Sequence, residues 1–420
     1  MTTPLTDKQL LDQGRKNLAL AERNMGALMK IRADYAKRKP FRGLRIAMAL
    51  HVTKETGMLV HTLRDGGAQV AITSCNPLST QDDVVAALKN DGIEAYGYKG
   101  ESKQDYYRFL KKVLAIRPHI TVDDGCDLVT LLHSSEKAYL KDILGGCEET
   151  TTGVIRLRAM QKDGVLKYPI IAVNDNKTKH LMDNYYGTGQ STIDAIMRAS
   201  NTLFAGKTVV VAGYGDCGKG VSLRAKGLGA NVIITEINPF KALQAAMDGF
   251  RVMPMSRAAG EGDIFITVTG NCEVIRPEHV QRMRSGAILA NSGHFDVEID
   301  VPGLEKLAAK KRRIRPYFDE YTIEKGKTRK HVYLVGEGRL ANLVAAEGHP
   351  SEVMSMSFCG QALAVEYLMK NKGKLQPGVY DLPESIDEKI SALQLGTMNI
   401  AIDTLTPRQK KYLAGWQEGT

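Results

Sequence analysis

The stretch "VVVAGYGDCGKGVSLRAKGLGANVIITE" (209–236) constrains the fold more than any other part of the chain. Its opening run of β-branched residues suits a buried parallel strand. Gly213, Gly215 and Gly218 follow as Gly-x-Gly-x-x-Gly. The first allows a tight turn, the second lets a pyrophosphate approach the backbone, and the third lets the next helix pack closely on the strand. That helix begins around Asp216, Cys217, Lys219 and Gly220. Its N-terminus offers free N–H groups and a partial positive charge to phosphates. The following strand, "NVIITE", ends in Glu236, 23 residues after Gly213. A carboxylate there accepts from both ribose hydroxyls and repels a 2′-phosphate, so the predicted cofactor is NAD rather than NADP. Lys241 follows closely and is placed with the cofactor contacts, although a cation there would favour a phosphate.

The first third of the chain has the same strand–helix rhythm. "LRIAMALHV", "AQVAITSC", "IEAYGYKG" and "HITVDDG" read as strands, separated by the helical "KETGMLVHTLRDGG", "LSTQDDVVAALKNDG" (capped by Ser79 or Thr80) and "SKQDYYRFLKKVLAI". Such alternation predicts a parallel sheet covered by helices on both faces. Ligands in these sheets sit at the carboxyl ends of strands, where His51, Cys75 and Asp124 fall. After residue 346 come the helical "PSEVMSMSFCGQALAVEYLMKN", the link "LQPGVYDLP" and a last helix with a tail. The predicted architecture is therefore α/β: two Rossmann-like, doubly wound parallel-sheet domains and a small helical C-terminal segment.

A chain of 420 residues has room for two or three domains. It contains no apolar run long enough to span a bilayer, and its polar start lacks a signal core, so a cytoplasmic protein without membrane contact is expected. Six scattered cysteines without a Cys-x-x-Cys pair fit reduced thiols and give no metal-ligand spacing. The net charge of +10 raises the question of nucleic acid. The basic run "AKKRRIR" (309–315) lacks interleaved aromatics, however, and reads as the solvated end of a helix, with no nucleic acid as partner.

Further stretches point to one family. "LHVTKETGMLV" (50–60), "VDDGCDL" (122–128), "CEETTTGVIRL" (147–157), "VNDNKTKHLMDNYYGTGQS" (173–191), "LANSGHFDVEID" (289–300) and "GEGRLANLVAAEGHPSEVMSMSF" (336–358) occur in order over nearly the whole chain. Together they resemble the S-adenosylhomocysteine hydrolase family, in its compact prokaryotic and archaeal branch. The resemblance implies a hydrolase whose tightly bound NAD ends each cycle unchanged. Oxidation of the substrate's ribose 3′-hydroxyl to a ketone acidifies the C4′ hydrogen, loss of that proton expels homocysteine, water adds, and the ketone is reduced again.

The resemblance also implies site residues. Lys179 and Asp183 fall to the ribose hydroxyls; read without it, they are an ordinary i,i+4 pair on one helix face. Asp124 falls to the C4′ proton, and His51 and His294 to the leaving sulfur and the entering water. Thr53 and Glu55 are placed at the purine and Glu149 at the substrate. Thr150, Thr151, Thr152, Ser292 and Gly293 are placed at the cofactor, and Asn184, Asn342 and His349 around cofactor and purine. Alone, the Thr150–Thr152 run would read as strand.

Thr188, Gly189 and Gln190 stand where longer family members carry a cysteine and an Arg-Glu pair, so a thiol-based role is not expected there. The ending "LTPRQKKYLAGWQEGT" lacks the extension whose Lys and Tyr reach a neighbour's cofactor in those members; Lys410, Lys411 and Tyr412 are the nearby candidates. The family implies a homotetramer acting on a small molecule. The expected organisation is a substrate-binding domain over 1–185, an NAD-binding domain over 186–345, a return segment over 346–380 and an oligomerisation tail over 381–420. Two other readings accompany the adenosyl substrate: the same reaction on S-inosyl-L-homocysteine, and a non-catalytic NAD-binding regulator. A plain dehydrogenase would explain the glycine-rich stretch but not the flanking motifs.

Overall fold

The computed structural model describes residues 5–326 and 328–417; Met1–Pro4, Lys327 and the last three residues of the tail lie outside them. In chain order the strands are β1 (Arg45–Ala49), β2 (Gln69–Thr73), β3 (Glu94–Ala95), β4 (Ile120–Asp123), β5 (Gly145–Glu148), β6 (Pro169–Ala172), β7 (Thr208–Ala212) and β8 (Asn231–Thr235). β9 (Arg251–Val252), β10 (Ile264–Thr267), β11 (Ala287–Asn291), β12 (Lys310–Arg315), β13 (Phe318–Lys325), β14 (Thr328–Val335) and β15 (Gly378–Tyr380) complete them.

They form two sheets. The first has the order β15-β6-β5-β4-β1-β2-β3 and every pairing in it is parallel. The second has the order β12-β13-β14-β11-β10-β7-β8-β9. From β9 to β14 this is the 3-2-1-4-5-6 order of dinucleotide-binding sheets. β12 and β13 extend it antiparallel, so the second sheet is mixed rather than wholly parallel. The central strands are apolar and buried on both faces: Val209, Val210 and Val211 are fully buried, as are Ile46, Ala47 and Met48.

Two local expectations change. The basic run is not a helix end. It is the edge strand β12, exposed along its length. Its cations meet acids of β13 across the ladder: Arg312 Nε lies 2.6 Å from Glu320 Oε1 and Arg313 Nε 2.5 Å from Asp319 Oδ1. Lysines and arginines on an edge strand also discourage pairing with another chain. The link "LQPGVYDLP" carries β15, which joins the edge of the first sheet beside β6. Before it, the helix Ser351–Lys370 returns to the first sheet and buries Phe358, Ala362 and Val365 in the same core as Met48 and Val60.

Candidate functional site

Both sheets present their carboxyl ends to one cavity of about 970 Å³. From the first sheet, His51 follows β1, Asp124 follows β4, Glu149 follows β5, and the 173–187 segment follows β6. From the second, the glycine-rich turn follows β7, Glu236 follows β8, and Ser292–His294 follow β11. The cavity wall includes His51, Thr53, Asp124, Glu149, Thr150, Thr151, Thr152, Lys179, Asp183 and Asn184 from the first group. It includes Gly213, Gly215, Asp216, Cys217, Glu236, Lys241, Ser292, Gly293, His294, Asn342 and His349 from the rest. Glu55, Gly218, Lys219 and Gly220 are not on the wall. Gly218 is packed inside: a Cβ there would stand 2.0 Å from the Gly213 carbonyl oxygen. At Gly220 it would stand 1.8 Å from the Tyr185 carbonyl oxygen, so this glycine seats the cofactor-side helix on the segment joining the two sheets. Glu55 is buried behind the wall, where Ser351 Oγ donates to its Oε1 at 2.6 Å and Lys54 Nζ lies 3.3 Å away.

The segment after β6 is not a regular α-helix. One α-turn, Lys177–Lys179, opens into a wide π-type turn over His180–Gly187. In such a turn residues five apart stack, and these turns recur at functional sites. Lys179 Nζ therefore reaches both Asp183 Oδ2 at 3.0 Å and Asn184 Oδ1 at 2.7 Å. Glu149 Oε1 lies 3.8 Å from the same nitrogen. Burial opposes the lysine's charge, but Asp183 and Glu149 outweigh it and raise its pKa above the ordinary lysine value. Burial likewise opposes the Asp183 carboxylate, yet His349 and Lys179 hold it well below the usual range. Asn342 Nδ2 donates to His349 Nε2 at 3.0 Å, which leaves His349 Nδ1–H to donate to Asp183 Oδ1. Glu149 accepts from Ser357 Oγ and from Gln361 Nε2; burial pushes its pKa up to about 7, against the pull of Lys179.

A second cluster lines the same cavity. Asp124 Oδ2 is 3.5 Å from His51 Nε2, and Asp124 Oδ1 is 3.6 Å from His294 Nδ1. The carboxylate thus stands between two imidazoles, one from each sheet. Ser79 Oγ meets His51 Nδ1 at 2.7 Å and fixes that ring. Burial lowers the His51 pKa to about 4, so the ring is neutral near pH 7 and able to accept a proton; nearby Asp124 opposes the shift only in part. His294 packs onto the Asp124 turn through Gly125 (φ +105), where a Cβ would stand 2.3 Å from His294 Nε2.

The dinucleotide seat fits its group. Gly215 is the N-cap of the helix Asp216–Gly227 and faces open space, where an added Cβ would meet only Lys241 Nζ, at 3.9 Å. Glu236 accepts backbone N–H groups from Tyr214 (2.8 Å), Ile237 (2.7 Å) and Asn238 (3.0 Å). Burial opposes its charge, but those amides and Lys241 keep its pKa below the ordinary glutamate value. A carboxylate offers about four acceptor positions, so it retains capacity for a ribose hydroxyl. Thr150 is the N-cap of the helix Thr151–Lys162, so the threonine run opens a helix and not a strand.

Sequence reasoning missed several supporting residues. Ser79, read only as a possible helix cap, orients His51; the helix after it starts at Asp82 with Gln81 as N-cap. Glu298 lies inside the quoted "GHFDVEID" and accepts from Thr269 N at 2.9 Å and Gly270 N at 2.7 Å, shaping the cavity rim. A Cβ on Gly293 would stand 1.7 Å from its Oε1, which explains that glycine. Cys217, already placed at the start of the cofactor-side helix, brings a thiol beside Thr188: its Sγ lies 3.6 Å from Thr188 Oγ1. Burial pushes its pKa up to about 11, so it stays protonated.

A dinucleotide seat on one sheet and an acid–base centre shared with the other define a two-domain nicotinamide-dependent enzyme. Residues 4–144 match the family model "S-adenosyl-L-homocysteine hydrolase", and residues 184–348 match its "NAD binding domain". The chain is 55% identical over 421 residues to an adenosylhomocysteinase of Saccharolobus solfataricus, covering all of both chains. It is 54% identical to the adenosylhomocysteinase of Aquifex aeolicus, again over the full length of both. It is also 55% identical over 414 residues to an S-inosyl-L-homocysteine hydrolase of Methanocaldococcus jannaschii, covering 99% of each. The chain belongs to the S-adenosyl-L-homocysteine hydrolase family.

Proposed function

We propose that the chain catalyses the reversible hydrolysis of S-adenosyl-L-homocysteine to adenosine and L-homocysteine. The carrying observation is that one cavity joins the buried Lys179–Asp183 pair, the His51–Asp124–His294 cluster and the dinucleotide seat. Bound NAD would supply reversible oxidation at the ribose 3′ carbon. Lys179 and Asp183 bind the ribose hydroxyls and hold the 3′-hydroxyl proton between Nζ and the carboxylate. Asp124 takes the proton from C4′ and returns it, by way of an imidazole beside it, to the leaving sulfur; the same imidazoles then orient the entering water. Burial keeps these charges paired with one another rather than with solvent. Neutral His51 is in the form that accepts a proton from water.

The domain limits of 1–185 for substrate and 186–345 for cofactor, with 346–380 returning to the substrate unit, are proposed with this function. A homotetramer is proposed too. The tail supports it, since Ile402, Leu413 and Trp416 are strongly exposed in the single chain. Among the described residues no helix is long and apolar enough to cross a membrane, and a cytoplasmic location is proposed. S-inosyl-L-homocysteine is the second reading; the relative of that name, at equal identity, supports it no better than the adenosylhomocysteinases support the first. Free-thiol release from each nucleosyl-homocysteine tests the assignment. No release from either compound, by protein loaded with NAD, would overturn it.

A further inference from the structure

Two carboxyl groups beneath the cavity take no part in the steps above. Asp123 ends β4 and Glu148 ends β5, and the two are register partners in adjacent parallel strands. Their side chains therefore leave the same face of the sheet. Both residues are fully buried. Each Asp123 oxygen accepts a backbone N–H: Oδ1 from Asp124 at 3.0 Å, Oδ2 from Val129 at 2.9 Å. Glu148 is bonded differently. Its Oε1 accepts from two turns at once, from Gly125 N at 2.9 Å and from Thr150 N at 3.1 Å. Its Oε2 is buried without a hydrogen-bond partner. Gly153 makes room for this carboxyl, since a Cβ there would stand 2.1 Å from the carboxyl carbon.

The two turns held by Glu148 Oε1 carry the chemistry. Asp124 immediately precedes Gly125, and Glu149 immediately precedes Thr150. Two neighbouring carboxyls in a dry interior do not both ionise. Arg156, a cation that interacts with Asp123, is committed to Asp127 Oδ1 at 2.7 Å and to the Gly125 carbonyl. The other groups that interact with the pair, among them Asp124, Asp127, Cys75, Cys126 and Tyr168, are carboxyls, thiols and phenols and supply no positive charge. Asp123, with an N–H on each oxygen, is built to carry the charge. Glu148, with a bare oxygen, is built to carry the proton. We propose that Glu148 is a positioning residue, a neutral carboxylic acid whose Oε1 fixes the Asp124 turn against the Glu149–Thr150 turn, with Asp123 as its charged neighbour. Burial and the Asp123 and Asp124 charges push the Glu148 carboxyl well up, in the same sense.

The inference rests on the proposed reaction for its kinetic readout, whereas amide exchange reads the clamp itself. The experiment compares Glu148→Gln, Glu148→Ala and Asp123→Asn in the full-length holoenzyme. An amide keeps the accepting oxygen and places NH₂ where the acid carried OH. Glu148→Gln should therefore keep kcat within about threefold, with a pH profile superposed on the parent's, and keep Gly125 and Thr150 amides protected from exchange. Glu148→Ala should release both amides and lower kcat by about tenfold or more, with KM little changed. In Asp123→Asn the new NH₂ must face a backbone N–H, so kcat should fall well below that of Glu148→Gln. If Glu148→Gln loses as much as Asp123→Asn, Glu148 is ionised and the assignment is wrong. If Glu148→Ala leaves both amides protected, Glu148 clamps nothing. Should Glu148→Ala not fold, the contrast between Gln and Asn decides alone. Intact amide protection without thiol release in the parent would instead count against the proposed reaction.

Discussion

Lys179 Nζ stands 3.0 Å from Asp183 Oδ2, with both side chains less than one-tenth exposed. On a surface such a pair contributes little. Here the two charges are shielded from water and share a wall with the dinucleotide seat, the setting of the acid–base role proposed for them. Lys179→Ala should lower kcat for thiol release by about 10²–10⁴-fold, the usual range for a general acid–base group. It should leave Asp183 held by His349 alone. Turnover within about threefold of the parent in this variant would remove Lys179 from the mechanism.

How much of this arrangement is legible in the sequence depends on range. The glycine-rich turn is local, so residue order alone placed Gly213, Gly218 and Glu236 in one strand–turn–helix–strand unit. The i,i+4 spacing of Lys179 and Asp183 was legible, but the π-type turn that adds Asn184 was not, because helical periodicity does not announce an extra residue per turn. Ser79 and Glu298 act through contacts with segments distant in sequence, and no spacing rule relates Ser79 to His51. The strand β12 was misread because Lys and Arg tolerate helix ends and sheet edges equally well, and only the acids of β13 opposite them decide.

His51 makes stability depend on pH in a defined window. Its pKa is about 4 in the folded chain, against roughly 6.5 for a free histidine. Between those values the unfolded chain holds a proton that the folded chain lacks. Stability therefore rises with pH across this window, and is lost as pH falls from about 6.5 toward 4. His51→Gln should remove that acid sensitivity, an effect of at most roughly 3 kcal/mol. Urea unfolding of parent and variant at neutral pH and at about pH 4.5 measures the difference. Equal acid losses in the two proteins would show that the ring is already charged, or not titrating, when folded.

Glu236 holds three backbone amides at the place expected for the cofactor's ribose. Glu236→Gln must turn an NH₂ toward at least one of those N–H groups, so the turn loosens and the negative charge is lost. NAD should bind about tenfold or more weakly to the stripped protein, a change of about 1.4 kcal/mol. The gap between NAD and NADP should narrow, since the anion that repels a 2′-phosphate is gone. Equilibrium dialysis with both dinucleotides reads both effects. A parent protein that prefers NADP would overturn the ribose argument and shift attention to Lys241, beside Gly215.

The purine is where two equally similar relatives part, one named for an adenosyl and one for an inosyl substrate. Adenine offers a donor at C6 and an acceptor at N1; hypoxanthine reverses both. Thr53 lies on the cavity wall, and Glu55 lies just behind it. Oε1 of Glu55 is occupied by Ser351 Oγ at 2.6 Å, with Lys54 Nζ at 3.3 Å. Any base contact therefore falls to Oε2, and an ionised carboxylate only accepts. That suits the adenine amine and opposes the hypoxanthine oxygen. A site built for one hydrogen-bond pattern loses several kcal/mol when a buried group is left unpaired. In the synthetic direction with homocysteine, kcat/KM for adenosine should exceed that for inosine by about tenfold or more. Glu55→Gln should narrow the ratio, because an amide donates as well as accepts. Its Oε1 would still accept from Ser351, so a loss of folding is not expected to confuse the comparison. Equal or better kinetics with inosine in the parent protein would assign the hypoxanthine nucleoside and leave the roles of Lys179, Asp183 and Asp124 untouched.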